Sequence, residues 1–138
     1  DKQTAYLKYL NCVRESLFVP YRYDIVGHIG YVSRKAPYAD PKLYYSEFAC
    51  ILDEILKIII DKGKILEVNT SVMPKVGEFL PGADILARYY ELGGRKVSFG
   101  SDAHKSERIA DKRALVIAEL KRIGFTYLTV PGGIKIDI

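Results

Sequence analysis

Tyr6, Leu7, Leu10, Val13, Leu17 and Phe18 recur at three- and four-residue intervals. That spacing lines apolar side chains along one side of a helix, so residues 4–18 read as an amphipathic helix, ended by Pro20. Asp24 to Val26 follows as a short apolar strand stopped at Gly27. The stretch YVSRKAPYADP, residues 31–41, holds two prolines and an Asp-Pro step and reads as loop. A second helix is predicted from Leu43 to Asp61, with Phe48, Ile51, Leu52, Ile55, Leu56 and Ile59 as its apolar face and Gly63 just beyond its end. KILEVNTS changes the period: its β-branched and apolar content reads as a strand that enters a polar loop at Asn69. Residues 71–79 carry no period. PGADILARYYELGG then reads as helix, KVSFG as strand, Asp111 to Ile123 as helix and FTYLTV as strand, and GGIKIDI can add a short hairpin partner.

Strands that alternate with helices imply parallel pairing through right-handed crossovers, hence an α/β fold. Nothing resembles an interdomain linker, so residues 1–138 are expected to form one domain. About four such units are half of what a closed eight-stranded barrel of roughly 250 residues needs. The chain is therefore a small open sheet or part of a barrel. Its first residue is Asp1 and the helical pattern is already under way there, so a piece of a longer protein is expected.

Composition narrows the class without selecting a function. The chain is 49% hydrophobic and 28% charged, with a net charge of +4. The basic residues are scattered, without the stripe or reading motif of a nucleic-acid binder, and the balance suits a small anionic substrate such as a phosphate ester. Cys12 and Cys50 lie in helical segments without CxxC spacing and are expected to be buried free thiols. There is no signal-peptide pattern and no apolar run near the ~18 residues that cross a membrane, so a cytoplasmic location is expected.

In parallel α/β folds, ligands bind beyond the C-terminal ends of the strands. The polar residues at those ends are His28 after the first strand, Asn69 and Thr70 after the second, and Ser101, Asp102 and His104 after the third. Both histidines of the chain fall on that rim. Taken singly, His28 reads as a turn residue and Asp102 as a helix cap or Asx-turn. Together they place two imidazoles and a carboxylate on one edge. A spacing of two in extended chain sends Asp102 and His104 to the same side. Imidazole and carboxylate donors suit Zn²⁺, Fe or Mn²⁺, and such an ion can turn water into a nucleophile near neutral pH. A Ser-His-Asp arrangement fits less well, because Ser101 adjoins its would-be partners and no nucleophile elbow is present.

The segments DIVGHIGYVSRK, KGKILEVNTS and LARYYELGGRKVSFGSDAHKSERIA closely resemble the polymerase-and-histidinol-phosphatase (PHP) superfamily, and within it the histidinol-phosphatase branch. The resemblance runs from about residue 6 to about residue 130. It implies that the chain is the C-terminal half of a distorted, TIM-like (β/α) barrel with up to three metal ions at the strand ends. In such proteins metal-activated water attacks a phosphomonoester. His28 matches a metal ligand of the family's Gly-His segment, Asp102 and His104 match the paired ligands of its Asp-x-His segment, and Asp102 and His104 are also the catalytic candidates. Arg34 matches a basic residue that holds the substrate phosphate. The sequence departs from the pattern at Gly30, where an acidic residue is usual, and it lacks the family's opening His-x-His pair and the further ligands that follow it.

The leading expectation is a metal-dependent phosphomonoesterase that takes a small phosphorylated substrate such as histidinol phosphate. With half a ligand set, the isolated chain is expected to be inactive or nearly so. The alternative is a non-catalytic fragment or binding module that self-associates through exposed barrel edges. A nuclease or polymerase-associated role is disfavoured, since no basic groove interleaved with aromatics is visible.

Overall fold

The computed structural model describes residues 1–138. Helix α1 spans Lys2–Ser16, and the Asp1 carboxylate caps it by accepting from the Thr4 amide at 2.8 Å. Strand β1 is Ile25–Val26, α2 is Ala49–Asp61 and β2 is Ile65–Asn69. A single turn, α3, covers Met73–Val76, followed by α4 at Ala83–Glu91 and β3 at Val97–Gly100. The chain closes with α5 at Arg113–Ile123, β4 at Tyr127–Val130 and β5 at Ile134–Asp137.

Strands β1, β2 and β3 form a parallel sheet in that order, with Val26 opposite Leu66 and Asn69 opposite Gly100. Helices α1, α2, α4 and α5 pack successively on one another beside it. The core lies between these layers. Leu66, Val68 and Val97 meet Leu10, Leu52, Ile55, Leu56, Leu86 and Leu120 there. Alternation along β2 sends Glu67 and Asn69 to the opposite face from Leu66 and Val68.

The fourth strand departs from the expected parallel series. β4 packs next to β3, but its ladder is antiparallel and runs to β5. The cause is local: Pro131, Gly132 and Gly133 form a tight turn, and the Gly133 amide donates to the Val130 carbonyl at 3.0 Å, which folds the chain back into a hairpin.

Three other expectations need correction. The second helix starts at Ala49, not Leu43. Tyr44 is extended, and the Tyr45 amide donates to the Asp84 carboxylate of α4 at 2.7 Å instead of entering a helical ladder. Residues 71–79 contain the α3 turn. Cys12 and Cys50 are free but exposed, not buried. Cys12 stands off the stripe made by Tyr6 and Leu10, and Cys50 precedes the buried face that begins at Ile51.

Candidate functional site

The C-terminal ends of the three parallel strands gather the polar residues the sequence singles out. His28 follows β1 in a left-handed conformation with φ 61°, and Tyr9 of α1 holds the loop behind it. The Tyr9 hydroxyl donates to the His28 carbonyl at 2.6 Å and accepts from the amides of Gly30 at 3.2 Å and Tyr31 at 3.3 Å. Burial raises the Tyr9 phenol above its ordinary pKa of 10.0, so it stays a neutral donor. The edge of the His28 ring meets the Tyr31 ring, with centroids 5.1 Å apart.

Asp102 comes from the loop after β3. Its Oδ2 lies 3.5 Å from His28 Nε2. Two ligands of one tetrahedral zinc, each about 2.0–2.2 Å from the ion, stand about 3.4 Å apart, so this pair fits adjacent corners of one coordination shell. His104 reaches the region by a different route from the one expected. Asp102 has φ 50°, so residues 102–104 are not extended and the same-side argument from strand spacing does not apply. Instead the loop curls, and His104 Nδ1 sits 2.8 Å from the Asp102 carbonyl. A proton on Nδ1 donated to that carbonyl leaves Nε2 free as a ligand, the usual support for a metal-bound imidazole. No three His, Cys, Asp or Glu side chains anywhere in the chain are arranged to hold a metal ion together. The residues present therefore fit part of a metal shell, built around the His28–Asp102 pair.

Asp102 and His104 also line a cleft of about 290 Å³ with Arg34, Ser71, Lys105 and Arg108. Arg34 ends a short 3₁₀ turn, Tyr31–Arg34; its guanidinium lies 5.2 Å from the Tyr31 ring centroid and donates to the Tyr31 hydroxyl. Arg108 is partly neutralised by Asp111 at 3.0 Å. Neither Arg34 nor Lys105 has a carboxylate within ion-pair distance. The cleft therefore presents positive charge to an anion immediately beside the His–Asp pair. Gly30 adopts φ 95°, and a Cβ there would lie 3.1 Å from Leu80 Cδ2, so this loop takes an acidic side chain at that position only under strain.

Sequence reasoning missed Glu67. It projects from the middle of β2 between the ends of the flanking strands. Its Oε2 accepts from the His28 amide at 3.3 Å and from Asn69 Nδ2 at 3.2 Å. A Cβ at Gly27 would come within 2.7 Å of that oxygen, and one at Gly100 would collide with Oε1. The available signal was a carboxylate inside an apolar parallel strand, two residues before a rim asparagine and so on the same face. Ser71, Lys105 and Arg108 carried no such signal, because only the folding of the loops brings them to the cleft.

No protein-family model matches the chain. A probable histidinol-phosphatase of Clostridium acetobutylicum is 42% identical over 98 residues, 70% of this chain and 38% of that protein. The histidinol-phosphatase of Lactococcus lactis is 36% identical over 121 residues, 83% of this chain and 43% of that protein. A solved structure of histidinol phosphate phosphatase from Lactococcus lactis, complexed with zinc, L-histidinol and phosphate, superposes with a TM-score of 0.72 at 30% identity. That match covers 91% of this chain and 48% of the other. The chain thus spans half or less of the length of these relatives.

Proposed function

We infer, for a chain homologous to part of the histidinol-phosphatases, that it is the C-terminal half of a metal-dependent phosphomonoesterase with a PHP-type barrel. The observation that carries this reading is the 3.5 Å apposition of His28 Nε2 and Asp102 Oδ2 at the edge of a basic cleft. His28 and Asp102 are the residues that would hold a divalent cation together; the resemblance also implies a ligand role for His104, which does not share their shell in this structure. Zinc is favoured by the donor set and by the zinc bound in the Lactococcus structure. A cation there stabilises charge on the phosphoryl oxygens and makes water nucleophilic near neutral pH.

The protein's own groups do the remaining work. Arg34 offers a planar fork of N–H donors that matches phosphate oxygens, and its stacking on Tyr31 limits the orientations it can adopt. Lys105 and Arg108 add positive potential at the cleft and draw in an anionic ester. The Tyr9 hydroxyl anchors the His28 loop to α1. The substrate is a small phosphorylated molecule, and histidinol phosphate is the first candidate, because the Lactococcus structure holds L-histidinol and phosphate. These 138 residues alone supply too few ligands and are expected to turn over phosphate esters only at background.

The test is a chimera in which this chain replaces the segment it matches in the Lactococcus lactis enzyme. Zinc-loaded chimera is expected to release phosphate from histidinol phosphate, and Asp102→Asn to return it to background. Arg34→Ala is expected to raise KM more than it lowers kcat. A folded chimera that is inactive, or whose activity survives Asp102→Asn, would overturn the assignment.

A further inference from the structure

We propose that a second anion site lies at the opposite end of the sheet from His28 and Asp102, and that it takes a diphosphate group. Lys64 directly precedes β2 and Lys96 directly precedes β3, about 15 Å along the strands from Asn69 and Gly100. β4 packs beside β3, but no ladder joins the two strands. Where they part, a hollow of about 270 Å³ opens, with Lys64, Arg95, Lys96, Tyr127, Thr129 and Lys135 in its wall and no acidic side chain. None of the four cations has a carboxylate within ion-pair distance. Their present partners leave most of their donors free. Lys64 Nζ donates to the Tyr23 carbonyl at 2.6 Å and Lys96 Nζ to the Gly63 carbonyl at 3.0 Å, each an ammonium with three protons. Arg95 Nη1 donates to the Tyr90 and Gly94 carbonyls at 2.7 and 2.8 Å, and Lys135 Nζ rests 4.3 Å from the centroid of the Tyr127 ring.

The charge balance selects the ligand. The C-terminal ends of α2 and α4 border the hollow and carry about half a negative charge each, which offsets about one of the four positive charges. The remainder exceeds what a single phosphate, at about −2, would balance. Thr129 points to a ligand independently. It is 2% exposed, it forms part of the wall, and its hydroxyl has no hydrogen-bond partner. Its place on β4 opposite Lys135 puts the two side chains on one face, away from Leu128 in the core. A buried hydroxyl without a partner is a cost that a valine of the same shape avoids, and a bound oxyanion removes it. Asp24 borders an adjoining recess of about 190 Å³ that shares Lys64, Lys96 and Thr129. Its charge directs an anion into the larger hollow, toward Lys135. The site uses neither His28 nor Asp102, so it stands or falls apart from the phosphatase reading.

Calorimetric titration of the metal-free chain with inorganic pyrophosphate, followed in parallel by ¹H–¹⁵N spectra, tests the site. Binding is expected to shift the Gly94 and Gly133 amides, which border the hollow. Lys96→Gln combined with Lys135→Gln is expected to weaken it about tenfold or more, as charge-assisted bonds are lost. Arg34→Gln, in the cleft beside Asp102 and more than a screening length away, is expected to leave the affinity within about twofold. Thr129→Val removes the hydroxyl alone. It is expected to weaken binding about tenfold, the scale of a hydrogen bond to a charged group, while the urea midpoint does not fall. Inorganic phosphate is expected to bind more weakly than pyrophosphate. ADP, set against pyrophosphate, tells a diphosphate borne by a nucleotide from the free anion, and tighter binding of either supports the site. A chain that takes up no pyrophosphate at millimolar concentration, phosphate bound as tightly as pyrophosphate, or an affinity indifferent to the paired lysine substitutions would overturn the proposal. So would a Thr129→Val variant that loses stability and keeps its affinity.

Discussion

Replacing Tyr9 with Phe isolates the hydroxyl that ties α1 to the His28 loop. The hydroxyl touches three backbone groups, but their losses are unequal. The His28 carbonyl keeps the Tyr31 amide as a donor at 2.9 Å, and that same bond satisfies Tyr31. Gly30 is different. Its amide is buried and has the Tyr9 oxygen, at 3.2 Å, as its partner. The Phe variant therefore strands one buried amide, which costs about 1–3 kcal/mol, with the ring packing preserved. Taking about 2 kcal/mol, and a urea slope of about 2 kcal/mol per molar for a domain of this size, the midpoint should fall by about 1 M with the slope unchanged. Urea unfolding followed by far-ultraviolet circular dichroism measures this. Tyr21→Phe is the control, since that side chain is 77% exposed and should leave the midpoint in place. A Tyr9→Phe midpoint within about 0.2 M of wild type would show that the Gly30 amide finds another partner, and the account of the loop would fail.

Two more outcomes follow from the charges and phenols. Arg88 of α4 grips Asp53 of α2 with two bonds, Nε to Oδ1 at 2.9 Å and Nη2 to Oδ2 at 2.7 Å, and this holds the Asp53 carboxyl below the usual carboxylate range. A depressed folded pKa stabilises above the ordinary value near 3.8 and is lost as pH falls through the lower folded value, so Arg88→Lys, which loses the fork, should lower the urea midpoint at pH 7 and change it less near pH 2. At the alkaline end, burial pushes the phenols of Tyr6 and Tyr89 from 10.0 up to about 12. Their folded pKa values are raised, so their contribution is complete below pH 10 and is lost as pH rises toward 12. Melting temperature should fall steeply across that interval, and Tyr6→Phe should soften the fall; a flat profile would contradict the burial of these hydroxyls.

Much of the architecture was legible in the chain because short-range periodicity follows directly from side-chain geometry. The Ile51, Leu52, Ile55, Leu56 and Ile59 face and the KILEV strand announce themselves, and that helix face and the strand's Ile65, Leu66 and Val68 lie buried. The places where the reading slipped are those where a distant partner took over a local preference. Leu43 to Phe48 had helical spacing, yet Asp84 captures the Tyr45 amide and delays the helix. β4 had the composition of a further parallel strand, yet its own turn pairs it with β5.

The candidate site divides the same way. His28, Asp102 and His104 were nominated because strand ends are where such chemistry collects and because the chain has only two histidines, whereas Arg34 was nominated by the family resemblance alone. Glu67 was not, since its role depends on Gly27 and Gly100 arriving from the neighbouring strands to open a slot for its carboxylate. What the residue order determined by itself was the succession of elements, the α/β class and the resemblance that led to the histidinol-phosphatases, because these depend on residues close together in the chain. The tertiary structure alone decided that His28 and Asp102 face each other, that the Asp102 loop turns left-handed rather than extended, and that the Asn69 amide lies against the His28 ring. Those are contacts between separate strands and loops, and their geometry exists only once the sheet has set the strands side by side.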